Sequence, residues 1–161
     1  DFEQISDNIF EMNIAGFCGA WWCGEVCIDG APAGYKILDM NGSDIKWIYK
    51  GCGHPLDYQV KVYVDTPDYP GEVIANVWDF DPAWTVEYFE DGIKVCDMQR
   101  FKAQDILAKE LYKDPSTLKR SWVWAIPTEN MFRASISEEA KKLEVRVTDR
   151  FGRVYTKVIE K

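Results

Sequence analysis

The sequence predicts an antiparallel β-sandwich with one short helix, and three observations predict it. Period-two alternation of β-branched and aromatic residues recurs in separate short runs. Turn dipeptides fall between such runs, at Asn41-Gly42 and Asp91-Gly92. A single segment, near residues 103–113, carries helical rather than alternating spacing.

The runs follow in order. Ile45, Trp47 and Tyr49 alternate with Lys46, Ile48 and Lys50. Val60, Val62 and Val64 alternate with Gln59, Lys61 and Tyr63. Val73, Ala75 and Val77 alternate with Ile74, Asn76 and Trp78. Trp84, Val86 and Tyr88 alternate with Thr85, Glu87 and Phe89. Near the end, Leu143, Val145 and Val147 form one such set, and Val154, Thr156 and Val158 another. Asn41-Gly42 lies between GYKILDM and SDIKWIYK, and Asn-Gly tolerates the positive φ of a tight hairpin. Asp91-Gly92 joins VEYFE to IKV, and Asp149-Arg150-Phe151-Gly152 joins the last two strands. In AQDILAKELYK, Ala103, Ile106, Leu107 and Leu111 share one helical face, and Asp114-Pro115 ends the helix. The stretch TPDYPG at 66–71 is the best candidate boundary between two sets of strands. The alternation predicts a core of Trp47, Val60, Val62, Val77, Val86, Leu143, Val145 and Val154.

Composition narrows the function. The chain has 161 residues, of which 47% are hydrophobic and 29% charged, enough for a buried core in one domain or slightly more. Its net charge of −8 repels phosphate backbones and argues against nucleic acid as a partner. No apolar run reaches the roughly 18 residues of a membrane span. The chain opens at Asp1 without a basic and then apolar leader, so we expect it to be cut from something longer. One histidine and five cysteines form no complete active site.

Four features invite a functional reading, each beside a plainer one. Cys18, Cys23 and Cys27, with Cys52 and His54, match no common zinc spacing, and buried thiols are favoured. A disulfide such as Cys23–Cys27 stays open. Adjacent strand residues face opposite ways, so one of Trp21 and Trp22 is expected in a core and the other at a surface. Asp79 and Asp81 suggest calcium, but Asp81-Pro82 is ordinary turn chemistry. His54 with Asp57 suggests proton transfer, yet no nucleophile or metal partner accompanies them, and a structural histidine is favoured.

The stretches CGAWWCG, DGAPAGYKIL, NGSDIKWIYKG, DYQVKVY, VIANVWDFDPAWTVEYFEDG and VTDRFGRVYT, in that order, resemble the C-terminal domain of bacterial calcineurin-like phosphoesterases. These are large, often exported metallophosphoesterases, frequent in gut Bacteroidetes. The resemblance runs from about Gly16 to Thr156. The family's metal motifs, D-x-H, G-D-x-x-D, G-N-H and G-H-x-H, do not occur here, so no catalytic or metal-binding residue carries over.

The resemblance implies a non-catalytic accessory domain that packs on the catalytic metallophosphoesterase domain of the same polypeptide. It implies no cofactor in this chain, two divalent metals in the catalytic domain, and export to the periplasm or cell surface. Residues 12–50 are then strands adjoining, or belonging to, the phosphoesterase sandwich, and 58–161 is the appended β-sandwich; alternatively 1–161 is one compact unit. The alternative function is a carbohydrate-binding β-sandwich that uses exposed aromatics. The expected interface or ligand-contact residues are Phe17, Trp21, Trp22, His54 and Trp84. Phe10, Ile14 and Phe17 lie close to the tryptophan pair, more apolar area than a free chain end needs, and predict weak self-association.

Overall fold

A computed structural model describes all residues except 1, 8, 15, 16 and 18–23. The chain folds into two compact units, residues 1–59 with 103–128, and residues 60–102 with 129–161. Its strands pair antiparallel, and among the described residues no helix is long and apolar enough to cross a membrane.

The first unit holds two hairpins and the α-helix. β1 (Phe2–Ser6) pairs with β2 (Ile9–Met12), and β3 (Gly34–Asn41) pairs with β4 (Asp44–Gly51). Trp47 joins the first two strands to the β4 face by stacking on Phe2 and Phe10, at 5.6 and 5.4 Å between centroids. The β3–β4 turn differs by one residue from the sequence expectation. Asn41 is a strand residue paired with Asp44, so Gly42-Ser43 makes the turn. Gly42 has φ +61° and Ser43 does not share the positive φ, the signature of a turn with glycine first rather than of an Asn-Gly turn. Gly34 is required by a close approach, since a Cβ there would lie 2.5 Å from the Tyr49 ring and from the Lys50 carbonyl.

The predicted helix forms, but it spans only α1 (Ile106–Leu111), not 103–113. Ala103 and Gln104 instead finish β9 (Gln99–Gln104). Asp105 sets the boundary: it is buried, keeps extended φ and ψ, and its carboxylate accepts the Ala108 N–H at 2.9 Å. The buried face of α1 joins a small core of Val26, Ala108, Tyr112, Val123 and Ala125. The Tyr112 hydroxyl donates to the Val26 carbonyl, tying this core to the chain before β3.

The second unit is the sandwich, and the fold class follows the expectation. One sheet runs β5-β6-β10-β9 and the other β12-β11-β7-β8. The first contains β5 (Val60–Thr66), β6 (Tyr69–Val77) and β10 (Pro127–Ser135) beside β9. The second contains β7 (Thr85–Glu90), β8 (Ile93–Asp97), β11 (Lys142–Thr148) and β12 (Val154–Glu160). Asp91-Gly92 turns β7 into β8 with φ of 50° and 86°, both left-handed as an Asp-Gly hairpin requires. The TPDYPG stretch is the hairpin between β5 and β6, with Thr66 paired to Tyr69, and so lies inside this unit rather than at a boundary. The chain passes between units at Gln59–Val60, Lys102–Ala103 and Thr128–Glu129. Residues 103–128 belong to the first unit.

Val60, Val77, Val86, Leu143 and Val145 are buried as predicted, and Trp47 is buried in the first unit. Val62 is only half-buried. Val154 is 54% exposed, a correction to the predicted core; its neighbour Tyr155 is buried instead. The register explains the reversal. Tyr155 pairs with buried Val147, so side chains in that position point to the same covered face. Its hydroxyl donates to Asp149 at 3.0 Å, which gives the phenol a polar anchor that valine lacks.

Candidate functional site

Of the residues that the sequence singles out, Phe17 and His54 lie in the first unit and Trp84 in the second. Phe17 is 62% exposed and tilts against Tyr35 at 6.0 Å between centroids. Trp21 and Trp22, with Cys18 and Cys23, lie outside the described residues. His54 is half-buried and stacks on Tyr58 at 4.2 Å. Its position is set by Lys50, whose ammonium donates to the His54 carbonyl, and by its own N–H, which donates to the Gly51 carbonyl at 3.2 Å. Trp84 belongs to the second unit and is buried, with its ring against Phe80 and Tyr155 at 6.3 and 6.5 Å. A ring enclosed in this way packs the sandwich.

The acidic pair also resolves into structure. Asp79 occupies a left-handed turn position with φ 63°. Asp81 accepts the Ala83 N–H at 2.8 Å and two hydrogen bonds from Arg150, so its oxygens are committed to the protein. The turn reading accounts for this loop.

Among the described residues no group of three or more histidine, cysteine, aspartate or glutamate side chains could hold an ion. Cys27, Cys52 and Cys96 carry free thiols, and Cys23, the suggested partner of Cys27, lies outside the described residues. Burial, and then the nearby Asp29 carboxylate, push the Cys27 thiol up to about 11. Such a thiol stays protonated near neutrality and is poor both as nucleophile and as ligand.

What the first unit does present is exposed apolar surface. The β3–β4 sheet has two strands, and both its faces carry apolar side chains. Tyr35, Ile37 and Ile48 share one face; Leu38, Met40, Ile45 and Trp47 share the other. Trp47 is covered and Lys36 reaches over its ring at 5.8 Å. Tyr35, Ile37, Leu38 and Met40 remain open to solvent, Met40 at 64% exposure. A lysine is thus covered on a strand whose apolar neighbours are bare, the reverse of a finished surface strand.

A second exposed set lies in the segment 122–126, which the sequence reading passed over. Val123 and Ala125 are buried in the small core around α1, while Trp122, Trp124 and Ile126 point outward. The backbone is pinned by the Gln104 amide, which donates to the Ala125 carbonyl at 2.7 Å, and by the Ile126 N–H donating to the Ile28 carbonyl at 2.9 Å. Trp124 is 62% exposed, so this fixed segment displays a whole indole to solvent. The alternation Trp122-Val123-Trp124-Ala125 was the available signal, a period-two pattern in which both faces are apolar.

The family model described as the C terminal of calcineurin-like phosphoesterase matches residues 11–155. No curated protein and no solved structure matches the chain.

Proposed function

Because the chain belongs to the family of C-terminal domains of calcineurin-like phosphoesterases, we propose that it is a non-catalytic accessory domain that packs on a metallophosphoesterase catalytic domain of the same polypeptide. The observation that carries this reading is the β3–β4 hairpin, a two-stranded sheet with solvent-exposed apolar residues on both faces. An isolated two-stranded sheet is marginal in water, and contiguous bare apolar surface marks an interaction site. Residues 12–50, which hold this hairpin, are the strands that adjoin the phosphoesterase sandwich. Residues 60–102 and 129–161 build the appended sandwich. Trp122 and Trp124 extend the contact surface of the same unit.

In this reading the two divalent metals and the hydrolytic step belong to the catalytic domain, where the metals would polarise a phosphoester and supply the attacking water. This chain contributes binding surface. Export to the periplasm or cell surface accompanies the same reading. Where the catalytic domain is absent, the bare hairpin supports weak association between copies.

The test is association with a separately expressed metallophosphoesterase domain from the same polypeptide, measured by calorimetry. Ile37→Ser and Leu38→Ser probe the two faces of the hairpin, and Trp124→Ser probes the second set. Loss of about tenfold or more in affinity from at least one of these exposed changes is expected, in line with removing a buried anchor. Unchanged affinity in all three variants would show that the interface lies elsewhere.

A further inference from the structure

The β3–β4 turn is made by Gly42-Ser43, so Asn41 is not needed for its geometry and instead closes the strand pair opposite Asp44. We propose that Asn41-Gly42 is a self-modifying site, at which the Asn41 amide is lost as ammonia and a negative charge is left at the tip of the hairpin.

The amide is accessible and uncommitted. Asn41 is exposed, and among the described residues no hydrogen bond reaches its carboxamide. Its neighbour is unobstructed: Gly42 carries no side chain, and a Cβ built there would meet nothing within 4 Å. The tip is also the least anchored part of the hairpin. At the other end Trp47 stacks on Phe2 and Phe10, and the Tyr49 hydroxyl donates to the Pro32 carbonyl at 2.5 Å. At the tip Asn41, Gly42, Ser43 and Asp44 are all exposed, and so is Met40 in the next pair. Strand ends of this kind open locally before the rest of the fold. Opening is required, because Asn41 is extended in the closed hairpin and its ψ must turn before the Gly42 nitrogen can approach Cγ. The other turn dipeptide, Asp91-Gly92, is built differently. The Asp91 carboxylate accepts the Lys142 N–H at 3.0 Å and the Lys141 N–H at 3.4 Å, which holds it against the neighbouring chain.

The chemistry needs only water. The Gly42 backbone nitrogen attacks Asn41 Cγ, the Cγ–Nδ2 bond breaks, and ammonia leaves with the proton from the Gly42 nitrogen. The product is a cyclic imide. Water then adds to either of its carbonyls and opens the ring. Breaking the bond from Cγ to the Gly42 nitrogen gives aspartate. Breaking the bond from the backbone carbonyl carbon gives isoaspartate, with the chain now running through Cγ. Either product carries a carboxylate directly opposite Asp44, and like charges in paired positions oppose the closed strand pair. Lys46, 3.7 Å from Asp44, is too exposed to cancel this. Isoaspartate also lengthens the backbone, so the turn no longer closes in the same register. Ile37, Leu38 and Met40 depend on that register, and the modified hairpin therefore docks more weakly. This consequence rests on the docking role of the hairpin, whereas the chemistry does not.

Peptide mapping by mass spectrometry tests the chemistry. The folded whole chain is kept in mildly alkaline buffer beside a urea-unfolded sample, and isoaspartate is labelled with an isoaspartyl methyltransferase. The folded chain should lose the Asn41 amide ahead of its other asparagines, each of which precedes a bulky residue, and should give both products. Asn41→Gln should abolish the change at this position. The proposal is overturned if the folded chain keeps the Asn41 amide while the unfolded chain loses it, because the fold then blocks the site. Aged and fresh chain are next compared for affinity to the separately expressed catalytic domain. The aged chain should bind about tenfold more weakly, as should Ile37→Ser. Equal binding by aged and fresh chain, with Ile37→Ser still weakened, overturns the effect on docking. Full binding by Ile37→Ser, Leu38→Ser and Trp124→Ser instead removes the docking role, and the peptide map still decides the chemistry.

Discussion

Arg150 donates two hydrogen bonds to Asp81, from Nε at 2.8 Å and Nη2 at 3.0 Å, across 69 residues of chain. The pair ties the loop after β6 to the hairpin loop between β11 and β12. Asp81 is only 1% exposed, so its charge depends on this fork and on the Ala83 N–H. Asp81→Ala should therefore destabilise the chain by about 2–4 kcal/mol, because it leaves the guanidinium facing a protein wall. Arg150→Met should also destabilise, by stranding the buried carboxylate. Urea unfolding of both single variants and of the double variant checks this, and a double variant costing less than the sum is the expected outcome.

Leu143 and Val62 separate a central from a peripheral core position. Leu143 is fully covered in the middle of the second sheet, whereas Val62 on β5 is half-buried at a sheet edge. Leu143→Ala should cost about 2–4 kcal/mol through lost burial and a residual cavity, and Val62→Ala nearer 1 kcal/mol. Equal shifts of the two urea midpoints would contradict the difference in burial.

The Cys27 thiol gives a pH signature. Its proton is held up to about 11 in the fold, whereas in the unfolded chain it leaves near its ordinary value. Between about pH 9 and about pH 11 the unfolded state thus binds fewer protons than the native state. Stability contributed by this group is then complete below that window and falls as pH rises through it. The parent should lose more stability than Cys27→Ala between pH 8 and pH 10.5 in parallel urea titrations, these set points being chosen to about bracket the window. The difference is kept modest by the partial exposure of the thiol.

Gly42 and Asn41 should respond unequally to alanine. Gly42 alone holds the left-handed backbone of the β3–β4 turn, at φ +61°. Gly42→Ala should cost about 1–2 kcal/mol, since a Cβ in that region clashes with the following carbonyl. Asn41→Ala, in an exposed strand position, should fall within about 0.5 kcal/mol of the parent. Thermal unfolding of the two variants distinguishes this turn from one centred on Asn41.

The sequence by itself determined β3 to β8, β11, β12 and the presence of a short helix, whereas β1, β2, β9 and β10 were not read from it. Period-two alternation and turn chemistry are local, and a few neighbouring residues suffice to express them. The Asp91-Gly92 hairpin shows this: both left-handed positions could be read from the dipeptide, and the structure has both. The family, too, was legible from the order of its stretches, and residues 11–155 match it.

The tertiary structure decided which face of each pattern is covered. Val154, Val158 and Tyr155 alternate in β12, but only pairing with β11 puts Tyr155 inside and leaves the valines in solvent. Seven tryptophans look alike in sequence, yet Trp84 is enclosed by Phe80 and Tyr155 while Trp122 and Trp124 stand outward from a segment held by Gln104 and Ile28. The capping of α1 by Asp105 and the reach of Arg150 to Asp81 likewise set a helix boundary and a loop tie that no short window contains. Alternation states that two faces differ. Burial depends on what packs against them, and that is fixed by residues tens of positions away.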